Sequence, residues 1–395
     1  MGPISQKLSW SLMVVLVAGL LLMSCGQPPA ATSTPQSSIP TVKSPTAAPV
    51  ATWEQKWETV LAEAKKEGSV AVYTNWGAPI RTAVTEAFGR KYGINVEVSP
   101  FSRGDEILAK FQAEKRAGLR IASVIGTGTG GLLQTIKPEG VLTPIETLLI
   151  LPEVRDPKAW NGGKIPYADK EGMALSMSSQ LHVMLAYNTD LIKEGEIASV
   201  KDVLKPQYKG KLIMSDPSLS GGGSASITHL ANIYWGEAGT VDFLTRLIKD
   251  QGVVIERDKR LLVETVARGK YVIGMGPSPD NLKEFMSAGA PIKIAKTQES
   301  TLLTAGNGAF GIPTGFANPN ATTVFINWLL TKEGQTVFAE SARSPSMRVD
   351  VPTTGIDPAF ISTPGGQYYI EGEEHNKLLD PMMKAAKKIM DEAAK

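Results

Sequence analysis

The sequence predicts an α/β protein with mostly parallel sheet. Apolar runs of strand length alternate with amphipathic stretches of helix length from residue 53 onward, and glycine closes many of the helices. Loops rich in Gly, Ser and Thr also recur between a strand and the helix that follows it. At 395 residues and 42% hydrophobic content, the chain is long enough to fill two or three globular units.

Before that alternation begins, Lys7 is followed by an apolar run from Leu8 to Met23, shorter than the roughly 20 apolar residues that span a bilayer comfortably. The run fits the core of a signal peptide over 1–24, and Leu22-Met23-Ser24-Cys25 resembles the bacterial lipobox. Cys25 is the only cysteine, so it has no internal disulfide partner; a lipid on its sulfur would cap an otherwise oxidisable thiol and anchor the chain to a membrane. Pro, Ser, Thr, Ala and Gln then dominate up to residue 52, a composition expected to form a tether rather than a core.

The elements follow in order. Trp53, Trp57, Val60, Leu61 and Ala64 share a helical stripe that stops at Gly68. Strand 69–74, a helix ending at Gly93, strand 94–101 and helix 104–118 lead to strand 120–126 and the loop Gly126-x-Gly128-x-x-Gly131. In the second half, strands are expected at 182–189, 211–216, 270–276 and 292–297. A glycine-rich loop at 216–226 opens a helix through Ile227, Leu230 and Ile233, and 274–281 forms a third strand-to-helix loop. Beyond Gly311, stretches 321–341 and 373–395 read as helical.

The first loop has the spacing of a dinucleotide fingerprint, but that fingerprint also needs a full following helix and an acidic residue on a second strand. Pro138 cuts the helix after about two turns. Two readings stand: backbone N–H groups at helix starts that bind an oxyanion, or a tight turn that needs glycine for conformation alone. Three such loops point to one ligand site at the carboxyl ends of the strands.

Four stretches carry a family resemblance: "AKKEGSVAVYTNW", "ILAKFQAEKRAG", "AYNTDLI" followed by "VKDVLKPQYKGKLIMSDPSLSGGG", and "ANPNATTVFINWLLTKEGQ". Together they resemble the extracellular solute-binding proteins of ABC importers, in the branch with ferric-iron, thiamine, polyamine and phosphonate binders. The resemblance implies a two-lobe, periplasmic-binding-protein-like fold (type II) with a strand hinge between lobes. Lobe 1 would hold 53–178 and 302–350, and lobe 2 would hold 179–301 and 351–395. It also implies ABC permease subunits as partners, a monomer, no cofactor and no catalysis.

Under that fold, Tyr73, Asn75, Trp76, Arg103, Gly126, Thr127 and Gly128 are expected to face the cleft from lobe 1. Asp216, Ser220, Gly221, Gly222, Gly223, Ser224, Pro277 and Ser278 are expected to face it from lobe 2. Trp76 reads either as a stacking wall or as core, and Arg103 either as a carboxylate clamp or as a surface partner of Asp105. Asp216 would hold an ammonium if the ligand were a cation. Ferric members resemble one another in an acid and a tyrosine pair; here Gly126-Thr127 and Pro277-Ser278-Pro279 stand at those places, so a small polar or anionic ligand is expected.

Other classes find little support. Lys+Arg 41 against Asp+Glu 39 leaves a formal charge of +2, with no basic stripe to hold nucleic acid. His182, His229 and His375 are far apart in sequence and in no metal-binding spacing. His229 reads as a packing residue, His182 as a hinge residue within reach of ligand, and Tyr368-Tyr369 as structural or surface.

Overall fold

The computed structural model describes residues 51–363 and 366–395. The signal segment, Cys25 and nearly all of the tether lie outside the described residues.

Fourteen strands follow in chain order: β1 Ser69–Thr74, β2 Asn95–Pro100, β3 Val124–Thr127, β4 Leu142–Thr143, β5 Ala174–Ser176, β6 Gln180–Leu181, β7 Leu185–Asn188, β8 Leu212–Ser215, β9 Val254–Glu256, β10 Ile273–Met275, β11 Ile292–Ile294, β12 Leu302–Thr304, β13 Ala309–Pro313 and β14 Tyr369–Ile370. Lobe 1 is built on the order β2-β1-β3-β13-β4, with β5 also on β13, and lobe 2 on β11-β7-β10-β8-β9. A third sheet, β14-β12-β6, lies where the chain passes between them.

Both lobe sheets are mixed rather than mostly parallel. β1 runs parallel to β2 and β3, but β13 is antiparallel to β3, and β7 is antiparallel to β10 and β11. β7 enters lobe 2 and β13 re-enters lobe 1 directly from the crossing sheet, with no covering helix to reverse their direction.

In lobe 1 the first helix, Trp53–Glu67, packs through Trp57, Val60, Leu61 and the buried Ala64 and stops at Gly68 in the left-handed region (φ +77°). Trp53 departs from the expected stripe and is 44% exposed. Helix Pro319–Leu330 is buried along its whole length after Pro319 and Asn320, which explains its lack of a polar face. Glu67 caps its start, accepting from Asn320 N and Ala321 N at 3.2 and 2.7 Å.

The C-terminal stretch is broken rather than continuous. A short turn Glu373–Asn376 precedes helix Leu379–Ala393, because Pro381 has no N–H to give and fits only the first turn of a helix. The final helix buries Met382, Ala386 and Ile389 in the lobe 2 core.

Asn327 is a fully buried polar side chain of the lobe 1 core whose amide is bonded at both ends. Its Oδ1 accepts from Ile150 N and Leu151 N at 2.8 and 3.0 Å, and its Nδ2 donates to Leu148 O and Thr323 O at 2.8 Å each. Replacing it by alanine strands several buried backbone groups, so Asn327→Ala is expected to lower stability by about 3 kcal/mol or more in urea denaturation.

Candidate functional site

In lobe 1 the strand-to-helix passages after β1 and β3 come together with the turn between β12 and β13. Asn75 N donates to Gly126 O at 3.2 Å, tying the end of β1 to the end of β3. Trp76 lies over that junction, 1% exposed, with its indole N–H on Asn307 O at 3.0 Å and its ring edge-on to Phe338 at 5.3 Å. A Cβ on Gly126 would stand 2.6 Å from Trp76 Cζ2, and one on Gly128 would stand 2.7 Å from Gly306 O. Neither Gly126 nor Gly128 occupies the left-handed region. Close packing is therefore enough to require these glycines, and unusual backbone torsion is not the reason.

The lobe 2 loops are built by the same constraint. A Cβ on Gly222 would fall 2.2 Å from Gly276 O, and one on Gly223 would fall 2.1 Å from Ser215 O. Gly276 itself is left-handed (φ +62°), and its N–H donates to Met184 O at 2.9 Å. The loop after β8 and the loop after β10 thus touch backbone to backbone, so helices Gly222–His229 and Pro279–Ser287 start beside one another. These two helices begin without a side-chain cap at the N-cap position, whereas at the start of Gly104–Arg116 in lobe 1 the Asp105 carboxylate accepts from the first-turn N–H groups of Asp105 and Glu106.

Several expected site residues are instead used inside the protein. Tyr73 is 2% exposed in the lobe 1 core with its hydroxyl on Glu114 Oε1 at 2.6 Å; burial first, then that carboxylate, push its ionisation up. Trp76 has no open face for stacking. Arg103 forks onto Asp105 at 3.0 and 2.7 Å as an exposed surface pair. Asp216 accepts from Ser218 N and Oγ and from Arg257 Nε, at 2.9, 2.6 and 3.0 Å. Burial pushes its carboxyl up, but Ser218 and Arg257 outweigh that and hold it below the usual carboxylate range. These contacts occupy both oxygens of Asp216, so it is not poised for an ammonium. Thr127, Gly223 and Ser224 are buried in the loops they shape, while Asn75, Ser220, Gly221, Gly222 and Ser278 retain exposed surface. The buried Oδ1 of Asn75 has no partner among the described residues.

The residue that connects the two clusters, Gln180 on β6, carried no signal in the sequence. Its Nε2 occupies the space where a Cβ on Gly306 would lie, 2.4 Å away, and its Oε1 accepts from Lys283 Nζ at 3.2 Å. Lys283, on the helix that follows the β10 loop, also donates to Ala342 O of lobe 1 at 3.4 Å. Burial pulls the Lys283 amine below its ordinary value, partly offset by Asp280. A separate hollow of about 350 Å³ opens at the free edge of β11, lined by Tyr187, Lys193, Met286, Lys293, Lys296 and Asp357; it belongs to lobe 2 and its covering loop rather than to the glycine passages.

Because the Gly222–Gly276 contact is backbone against backbone, no side chain can move aside to relieve it. Gly222→Ala is expected to cost about 2 kcal/mol or more through overpacking, read as a lowered melting temperature. Ser220→Ala, on the exposed shoulder of the same loop, is expected to leave the melting temperature within the small range of surface substitutions.

Residues 83–364 match the family model described as bacterial extracellular solute-binding protein. An uncharacterized protein of Haemophilus influenzae is 26% identical over 289 residues, covering 70% of this chain and 77% of that one. Among solved structures, Trichodesmium IdiA (FutA) in complex with iron and citrate is similar with a TM-score of 0.66 at 17% identity, over 82% of this chain and 99% of that one. AfuA of Actinobacillus pleuropneumoniae with fructose-6-phosphate bound gives 0.60 at 19%, over 82% and 97%. The ferric iron-binding protein A of Mannheimia haemolytica, in an open conformation, gives 0.64 at 16%, over 82% and 98%. At these identities the structural likeness is one of fold, that of type II periplasmic binding proteins with helices and mixed sheets in two lobes. The family match spans most of the two-lobed body and includes all three glycine passages, and the chain belongs to the bacterial extracellular solute-binding proteins.

Proposed function

We propose that this protein is the lipid-anchored receptor of an ABC importer, capturing a small polar or anionic solute between its lobes and delivering it to the permease. The observation that carries this reading is the pair of helix starts, at Gly222 and Pro279, that have no side-chain cap and are pressed together by the Gly222–Gly276 contact. Free N–H groups at a helix start present partial positive charge without a competing cation, which suits an oxygen-rich anion. Asn75 and Gly128 from lobe 1, with Ser220, Gly221, Gly222 and Ser278 from lobe 2, are the candidate lining, with the buried Gly126, Thr127 and Pro277 shaping the loops behind them. Closure around the solute would create a surface spanning both lobes that the permease distinguishes from the empty form.

A ferric ligand is the second reading, favoured by structural neighbours whose titles describe bound iron. Against direct coordination, Gly126-Thr127 and Pro277-Ser278-Pro279 supply neither a carboxylate nor a phenol. Iron held through a bound anion remains consistent with the same loops.

Thermal shift against fructose-6-phosphate, citrate, ferric citrate, an alkylphosphonate, thiamine and spermidine tests the ligand class. A true ligand at about 100 times its dissociation constant adds about 2.7 kcal/mol of stability. A rise with an anion is expected; a rise with spermidine or thiamine and none with any anion overturns the anionic reading. For the anchor, Cys25→Ser is expected to move the protein from the detergent phase to the aqueous phase in a Triton X-114 partition; an unchanged partition removes lipidation at that residue.

A further inference from the structure

Two of the three histidines, His229 and His375, far apart in sequence, meet beside the crossing sheet. His375 follows β14, and its Nε2 lies 3.3 Å from Nδ1 of His229 on the lobe 2 helix Gly222–His229. His229 Nε2 lies 3.0 Å from Thr301 Oγ1, Thr301 Oγ1 lies 2.7 Å from Tyr234 Oη, and Tyr234 Oη donates to Gln298 O at 3.0 Å. A carbonyl only accepts, so the assignment that gives every contact one proton runs in a single direction. Tyr234 donates to Gln298, Thr301 to Tyr234, His229 Nε2–H to Thr301, and His375 Nε2–H to His229 Nδ1. Both rings are then neutral, and His375 Nδ1 is a buried nitrogen with no partner among the described residues.

The segment that carries His375 is tied to both lobes and to the sheet between them. Tyr369 N and Glu371 N donate to Thr301 O and Leu303 O at 2.9 and 2.8 Å. On the lobe 1 side, Glu373 N donates to Ala168 O at 2.8 Å, Lys137 Nζ pairs with Glu373 at 2.8 Å, and Gln134 Nε2 donates to Asn376 O at 3.1 Å. On the lobe 2 side, Asn232 Nδ2 donates to His375 O at 2.8 Å, beside the His229 contact. Residues 365–395 also lie beyond the span that matches the family model.

We propose that residues 369–376 form an acid-released strap: docked, it fastens the two lobes together, and protonation of the His229–His375 pair lifts it off. A second proton on His229 would sit at Nδ1, pointing directly at the His375 N–H. A second proton on His375 would sit on the partnerless buried nitrogen. Among the described residues no carboxylate lies within 4.0 Å of any histidine ring nitrogen to repay either charge. Of the surrounding groups, only the Asn376 side chain favours a charged His375. His182, whose Nε2 is on Ser226 Oγ at 2.9 Å, adds like charge if protonated, Tyr369 and Tyr234 pack T-shaped on the His229 ring, and Lys137 is itself a cation engaged with Asp169, Glu171 and Glu373. The Glu371 carboxyl is pushed up by burial, against the pull of Thr304 and Asn376, which weakens it as a counter-charge.

The direction of the pH effect follows. Burial first, then the charge of His375, pull His229 from 6.5 down to about 3; burial pulls His375 down as well, against an opposing pull from the Asn376 side chain. Docked rings refuse protons that free rings accept below about 6.5, so docking is complete above that pH and is lost as pH falls toward 3. At pH 5 a ring with that contrast weakens docking by about 30-fold.

Amide hydrogen exchange on the full protein without added solute, corrected for intrinsic rates, reads the strap directly. From pH 7.5 to pH 5, protection of 369–376 is expected to fall at least tenfold while that of β1 and β3 holds. In His229→Gln/His375→Gln, which keeps neutral donors at both positions, strap protection is expected not to change with pH. Unchanged protection in the wild type, or a response that survives the double substitution and disappears in Glu371→Gln, overturns the proposal. Should the double variant fail to fold, the histidine Cε1–H NMR titration of the wild type decides: either ring titrating near 6.5 with the strap still protected also overturns it. Solute binding at pH 7.5 tests the receptor reading separately, since the exchange experiment contains no solute.

Discussion

Two sheets that share no strand can behave as one body only through the chain that crosses between them, and here the crossings gather into β14-β12-β6. Each strand of this strip is only two or three residues long, so its ladder bonds alone are a weak joint. Side chains thicken it. Gln180 fills the space beside Gly306 and accepts from Lys283, Lys283 reaches Ala342 of lobe 1, and the His229–Thr301–Tyr234 chain ties the β12 approach to lobe 2. A joint of this kind is stiff when every polar group is paired and yields when one is not, because an unpaired buried group costs about as much as a hydrogen bond contributes.

The glycine loops show how tight packing and binding geometry arise from one feature. Backbone can approach backbone only where Cβ is missing, as at Gly128, Gly222 and Gly223, and at Gly126 the same gap admits the Trp76 ring. The same approach brings helix starts together and leaves their N–H groups without competing side-chain caps. A loop shaped this way can offer donors to a solute without lysine or arginine, whose flexible chains would have to be ordered upon binding. The near-neutral balance of the protein fits this economy of charge.

The histidines bear on how such a joint is regulated. Sequence reading placed His229 among apolar neighbours as a packing residue, because Ile227 and Leu230 flank it. Its ring is instead one link in a directed hydrogen-bond chain that closes on a carbonyl. The partners come from positions 298, 301 and 375, and no local pattern around residue 229 announces them.

What the sequence determined by itself was periodic and local: the α/β alternation, most helix stops at glycine, the three strand-to-helix loops and the family. These follow from side-chain period and backbone torsion, which a few neighbouring residues set. Tertiary structure alone decided which residues those loops expose. Tyr73 and Trp76 alternate with apolar neighbours like any strand-end aromatics, yet Glu114 and Phe338, brought in from helices distant in sequence, close over them. Asp216 looked like a free carboxylate until Arg257 arrived from the end of the neighbouring strand. The mixed strand directions, the break before Pro381 within its helix, and the meeting of His229 and His375 likewise depend on segments more than a hundred residues apart or on competition between neighbours, and pairings at that distance are fixed by packing that a linear reading does not contain.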